Sequence, residues 1–153
     1  MIRHADLKDF GRVIELMTNF ANAAPIDALH QPDYNVRRLE HLLARFKSNG
    51  CVIVAEDKEG VIQGVLIGVV FEDLWLPYVK TLKEVAWWVE PEYRNTSMGY
   101  RLLMEYVKFG NDLINRLVVS NFTLTNMSIS PDFDLEKRGW RPIETNYVYE
   151  GRI

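Results

Sequence analysis

Apolar residues along the chain recur first at helical spacing and later in β-branched runs, and each change of period marks an element. Ile2, Arg3 and His4 read as a short opening strand. Asp6, with Asp9 three positions on, suits a helix start, and Leu7, Phe10, Ile14, Met17 and Ala21 follow at spacings of three or four. Residues 22–34 hold two prolines and mixed polarity, which predicts a loop. Asn35 then caps a second helix with Val36, Leu39, Leu43 and Phe46 on one face, closed by Asn49 and Gly50. Residues 51–55 and 61–71 are β-branched runs separated by the turn-like Glu56, Asp57, Lys58, Glu59 and Gly60, so they predict a hairpin. The second run is apolar on both faces, as a central strand covered by helices above and below must be.

A loop containing Trp75, Leu76, Pro77 and Tyr78 leads to a strand over 82–89, stopped by Pro91. Residues 97–109 predict a helix that packs through the stripe Gly99, Leu102, Leu103, Tyr106, Val107 and Gly110. Residues 117–124 predict a strand, 132–138 a short helix ended by Gly139, and 141–150 a final strand with Tyr147 and Tyr149 on one face. This order predicts an α/β (α+β) fold, with a mixed, mainly antiparallel sheet and helices on both faces.

Composition narrows the function. A chain of 153 residues, 48% apolar and 25% charged, suits one domain spanning 1–153. Its net charge of −3 gives no general basic face for a nucleic acid, so any anion site is local. The single cysteine, Cys51, lies in an apolar run and suits a buried thiol in a reducing compartment. The start of the chain lacks the pattern of a secretory signal, and the longest apolar run, 65–71, is too short to span a bilayer, which together predict a cytoplasmic protein without a membrane partner. No His, Cys and Asp cluster has metal-ligand spacing, so no metal is expected.

The stretch 89–103, VEPEYRNTSMGYRLL, takes a strand through a short turn into a helix. Such a turn leaves the first helix amides pointing outward, the macrodipole adds partial positive charge, and small Asn95, Thr96 and Ser97 let an anion approach the backbone beside Arg94. The same residues also suit an ordinary N-cap followed by a solvated arginine.

The stretch resembles the acyl-CoA-binding motif of the GNAT acetyltransferase family, V-x-P-x-x-R/Q-x-x-G-x-G/A leading into a helix. The later Glu136, Lys137, Arg138, Gly139 and Trp140 resemble the family's E-K-x-G-F, and the element order extends the likeness over almost the whole chain. The Arg-Asn-Thr-Ser variant of the turn is similar to phage-encoded members. The resemblance implies a GNAT-type sheet of six to seven strands and acetyl-CoA as cofactor. It places the pyrophosphate of coenzyme A on Arg94 and on the backbone of Asn95, Thr96, Ser97, Met98, Gly99 and Tyr100. The pantetheine arm would lie in a gap between the fourth and fifth strands, against Trp87, Trp88 and Val89, with Asn126 either bonding its amides or serving as an ordinary loop residue.

In the family a glutamate of the fourth strand works through a water as general base, and Glu84 matches it, with Glu72 and Asp73 as competitors. Two positions depart from the pattern. Ser97 stands where glycine is more common, and Leu135 stands where a tyrosine usually acts as general acid. Tyr147 or Tyr149 could replace that tyrosine, solvent could protonate the thiolate, or catalysis could be lost. The implied function is therefore an acyl-CoA-dependent N-acyltransferase moving an acetyl group directly to an amine on a small molecule or protein. The alternative is a non-catalytic acyl-CoA-binding or interaction protein of the same fold, viral in the phage-like reading. His30, near Asp27 and Tyr34, is a candidate on the acceptor side, and the aromatic loop around Trp75 fits either an acceptor wall or a homodimer contact.

Overall fold

The run that is apolar on both faces forms β3 (Ile62–Glu72), the middle strand of a five-stranded sheet of order β1-β2-β3-β4-β5. The computed structural model describes residues 1–30, 36–125 and 133–151. In chain order the elements are β1 (Ile2–His4), α1 (Phe10–Ala23), α2 (Val36–Ser48), β2 (Gly50–Glu56), β3, β4 (Lys80–Val89), α3 (Met98–Asn115) and β5 (Asn121–Thr123). The pairs from β1 through β4 are antiparallel and β4 pairs β5 in parallel, so the sheet is mixed and mainly antiparallel as expected. Among the described residues the sheet has five strands rather than six to seven.

Alternation along the strands divides the core into two layers. One face, with Val52, Val54, Val65, Ile67 and Trp88, is covered by Val13, Leu16 and Leu43 of α1 and α2. The other, with Ile53, Leu66, Leu82, Trp87 and Val89, is covered by Leu102, Leu103 and Tyr106 of α3. The entry to α1 is held by charge. The Asp6 amide donates to Asp9 Oδ2 at 2.8 Å, and Arg3 forks onto both Asp9 oxygens at 2.7 and 3.0 Å while also reaching Glu56 at 2.7 Å. The Arg3 hydrogen bonds hold the Asp9 carboxyl below the usual carboxylate range, tying β1, β2 and the first turn together.

Three expected elements differ. The third helix does not end near Gly110 but continues to Asn115. A glycine inside a helix costs only about 0.5–1 kcal/mol relative to alanine, and here the bare Cα of Gly110 receives the Phe122 ring, so close that a Cβ would lie 2.5 Å from Phe122 Cδ1. The strand expected over 117–124 shrinks to Asn121–Thr123, because Leu117 takes the left-handed φ of 60° in the reversal after α3. Residues 141–150 form no strand and their side chains are exposed. Alternation marks a segment fit to lie on a pleated, half-buried surface, and it becomes a strand only where an edge accepts it. The short helix before Gly139 is the single turn Glu136–Arg138, and Gly139 closes it at a left-handed φ of 91°. Asn35, the expected cap of α2, lies outside the described residues.

Candidate active site at the parting of two strands

β4 pairs with β5 only at Thr81, Leu82 and Lys83, opposite Asn121, Phe122 and Thr123. Beyond Lys83 the described part of β5 leaves, and residues 84–89 are paired on the β3 side alone. The amide of Glu90 donates to Gln63 O on β3, and strand alternation then turns the backbone groups of Trp88 toward β3 and those of Trp87 and Val89 toward the open edge. Val89 O, on that edge, accepts from Arg94 Nε at 2.9 Å.

A bulge arranges the side chains beside this edge. Ile67 pairs with Ala86 but Gly68 pairs with Glu84, leaving Val85 as the extra residue. Glu84 and Trp87, three apart, would face opposite sides of a regular strand. The bulge returns them to one face, so Leu82, Glu84, Trp87 and Val89 succeed one another beneath α3.

Glu84 is only 6% exposed, and the Thr125 amide donates to its Oε2 at 2.9 Å. Burial pushes its carboxyl up to about 7, with the Thr125 hydrogen bond opposing. Such a group exchanges a proton near neutral pH, as a general base must. Trp87 is 1% exposed and its Nε1 is the one buried side-chain polar atom without a hydrogen-bond partner among the described residues. An unsatisfied buried donor costs about 1–3 kcal/mol. Phe133 stacks on the Trp87 indole with centroids 5.7 Å apart and 12° between planes, Tyr100 lies tilted against Phe133, and the Arg138 guanidinium sits over the Tyr100 ring.

The fork itself is clasped by a residue that periodicity marks only as core. Tyr106 Oη lies 2.6 Å from Thr123 O and 3.2 Å from Leu82 O, so its single proton bridges β5 and β4 just before they part. The ring needs the space above Gly68, where a Cβ would meet Tyr106 Cε2 at 2.8 Å. Cys51 packs in the same layer, and burial pushes its thiol up to about 12, which makes it a neutral filler rather than a nucleophile.

The turn after β4 holds a single 3-10 turn, Pro91–Tyr93, before α3. Thr96 Oγ1 donates to Tyr93 O and accepts from the Met98 amide at 3.3 Å, leaving the Gly99 and Tyr100 amides without an intrahelical carbonyl. Ser97 is the residue before α3 with φ −75°, so it carries no left-handed strain where the family more often has glycine. Asn95, Thr96 and Ser97 are exposed, while Met98 and Gly99 are buried. Arg94 does not stand free beside the turn: besides Val89 O, its guanidinium stacks 4.4 Å above the Trp88 ring.

The structure thus lays Glu84, Trp87 and Val89 in succession along one face of β4, followed by Arg94 and the turn 95–100, with Trp88 beneath Arg94. It does not bring Tyr147 into this group. With no strand over 141–150, the Tyr147 and Tyr149 side chains are 92% and 96% exposed. Leu135 packs in the layer under α3. Asn126 lies outside the described residues. Of the competitors, Asp73 accepts from the Trp75 and Leu76 amides at 2.8 and 2.9 Å and so shapes the aromatic loop, whereas Glu72 ends β3 exposed. His30 Nε2 lies 2.7 Å from Ala24 O, within its own loop. Among the described residues there is no cluster of three metal-ligating side chains and no helix long and apolar enough to cross a membrane. Sequence reasoning missed the Tyr106 hydroxyl, the Trp87 indole, Phe133 and Arg138. The odd Glu84 to Trp87 spacing was the available signal for the second of these, because both fall on one face only if the strand is bulged.

The fold is shared with solved structures of acetyltransferases. The chain is similar in fold to an acetyltransferase from Trypanosoma brucei (TM-score 0.69, 17% identity, covering 98% of each chain). It is similar also to a predicted acetyltransferase from Clostridium acetobutylicum solved with acetyl-CoA (TM-score 0.71, 14% identity, 98% of this chain and 95% of that one). A GNAT family acetyltransferase from Staphylococcus aureus matches at a TM-score of 0.60 and 16% identity, over 98% and 97% of the two chains. At these identities the likeness establishes a GNAT-type fold. No protein-family model and no curated protein matches the sequence.

Proposed function

We propose that the chain is an acyl-CoA-dependent N-acyltransferase that moves an acetyl group from acetyl-CoA directly to an amine. The observation that carries this reading is that the described part of β5 leaves β4 at Glu84, a buried carboxyl near neutrality beside a strand edge left unpaired by the described residues. Bound acetyl-CoA supplies the acyl group activated as a thioester. The residues fit that ligand: the open edge offers the backbone of Trp87 and Val89, and the turn offers the Gly99 and Tyr100 amides beside the Arg94 charge. Trp87 Nε1 adds a buried donor that has no partner within the described chain. Glu84 takes the proton of the incoming ammonium or amine, and its raised affinity for protons suits it to that role at neutral pH. The Thr125 amide holds the carboxylate in place. With Leu135 at the usual acid position, solvent protonates the departing thiolate, which is a good leaving group because thiol pKa values are about 8.5.

Calorimetric titration with acetyl-CoA tests binding, and thiol release over a panel of amines tests transfer in wild type and Glu84→Gln. Absence of binding at millimolar ligand overturns the proposal. A second reading, a non-catalytic acyl-CoA-binding protein of this fold, draws on the apolar Leu135 and the solvent position of Tyr147. Tight binding without thiol release from any amine would favour it.

A further inference from the structure

We infer that the Trp87 indole N–H is the donor that grips a carbonyl oxygen of the acyl-CoA arm, a side-chain contact added to those of the strand backbone. The inference rests on the acyltransferase reading. Trp87 is 1% exposed, yet its Nε1 has no acceptor among the described residues, while the hydroxyl of Tyr106 in the same layer has two carbonyls within reach. A buried donor left open is disfavoured unless another molecule completes it. A phenylalanine would fill most of the same volume without that penalty.

The place of the residue on β4 narrows what completes it. Because of the bulge at Val85, Trp87 follows Glu84 on the α3 face, and its backbone opens onto the edge of β4 that the described residues leave unpaired. Phe133 stacked on the indole fixes the ring plane, so the donor direction is set before any ligand arrives. Indole N–H only donates, so the partner must be an acceptor. The acyl-CoA arm carries carbonyl acceptors in its thioester and its two pantetheine amides, besides one hydroxyl, and a carbonyl oxygen is the acceptor we assign.

The test uses the indole signals of the four tryptophans in a nitrogen-15 correlated proton spectrum, with Trp87 assigned by Trp87→Phe. On saturation with acetyl-CoA the wild-type Trp87 N–H signal should move downfield by more than the signals of Trp75, Trp88 and Trp140. In calorimetry Trp87→Phe should bind acetyl-CoA about tenfold more weakly while keeping its denaturation midpoint or raising it. Movement with acetyl-CoA but not with free CoA assigns the thioester carbonyl, and movement with both assigns a pantetheine amide. If wild type binds acetyl-CoA with the Trp87 signal unmoved, the inference is overturned while the acyltransferase reading stands, even should Trp87→Phe fail to fold. If wild type does not bind, both fall.

Discussion

Over residues 80–83, β4 is hydrogen-bonded along both edges, to β3 and to β5, and over 84–89 the described chain pairs it with β3 alone. In the closed half the polar groups under α3 meet one another, as when the Tyr106 hydroxyl reaches Leu82 O and Thr123 O. In the open half the same layer holds a carboxyl lifted toward neutrality and an indole N–H without a partner among the described residues. One strand thus shows how a fold makes a site: it withholds partners from polar groups that sequence placed next to apolar ones. The boundary between the halves is sharp because the bulge and the Tyr106 clasp fall within two residues of Glu84 in the pairing pattern.

Glu84 is the position at which the open half is most sensitive to change. Glu84→Gln should lower acetyl transfer by about 10²–10⁴-fold while leaving acetyl-CoA affinity within about threefold, measured by thiol release and calorimetry. Wild-type kcat/KM should rise with pH through about 7 as the base deprotonates. The same group sets a stability profile. Its folded pKa of about 7 lies above the ordinary 4.5, so its contribution is complete below about pH 4.5 and is lost as pH rises through 7. The difference corresponds to roughly 3 kcal/mol, and denaturant titrations at pH 5 and pH 8 should show a fall in wild type that Glu84→Gln lacks.

Smaller effects sharpen the boundary between the halves. Gly110→Ala sets a methyl against the Phe122 ring and should destabilise by about 1–3 kcal/mol, displacing β5 from the closed half. Tyr106→Phe keeps the packing and removes the clasp, so a loss of about 1–2 kcal/mol and faster amide exchange at Phe122 and Thr123 are expected. Trp75→Ala, in a loop whose tryptophan is 82% exposed, should change stability by less than about 0.5 kcal/mol. A larger fall there would show that the loop is covered in solution.

The helices and the four long or early strands were legible because each combines a clear period with its punctuation. β3 was recognised as central from its apolar faces, and Gly139 as a terminator from its place after a short polar helix. Glu84, Arg94 and the turn through Gly99 were legible as a motif. Their surroundings were not. Arg94 reads as a loose charge in the sequence, yet it is held by Val89 O and the Trp88 ring. Tyr106 reads as one more apolar stripe position, since periodicity reports where a ring points and is silent about its hydroxyl. Residues 141–150 were read as a strand on alternation alone, which does not say whether an edge is present to receive them.

Local pairing, the apolar faces and the place of the strand-to-helix turn all follow from the residue order, because backbone sterics and side-chain period act over a few residues. The tertiary structure decided where β5 leaves β4, that a single bulged residue puts Glu84 and Trp87 on one face, and that both are buried beneath α3. Those outcomes depend on desolvation and on partners tens of residues away, such as Thr125 for Glu84 and Phe133 for Trp87. A carboxyl becomes a base near neutrality only when folding takes water from it, and no local pattern of residues can state that by itself.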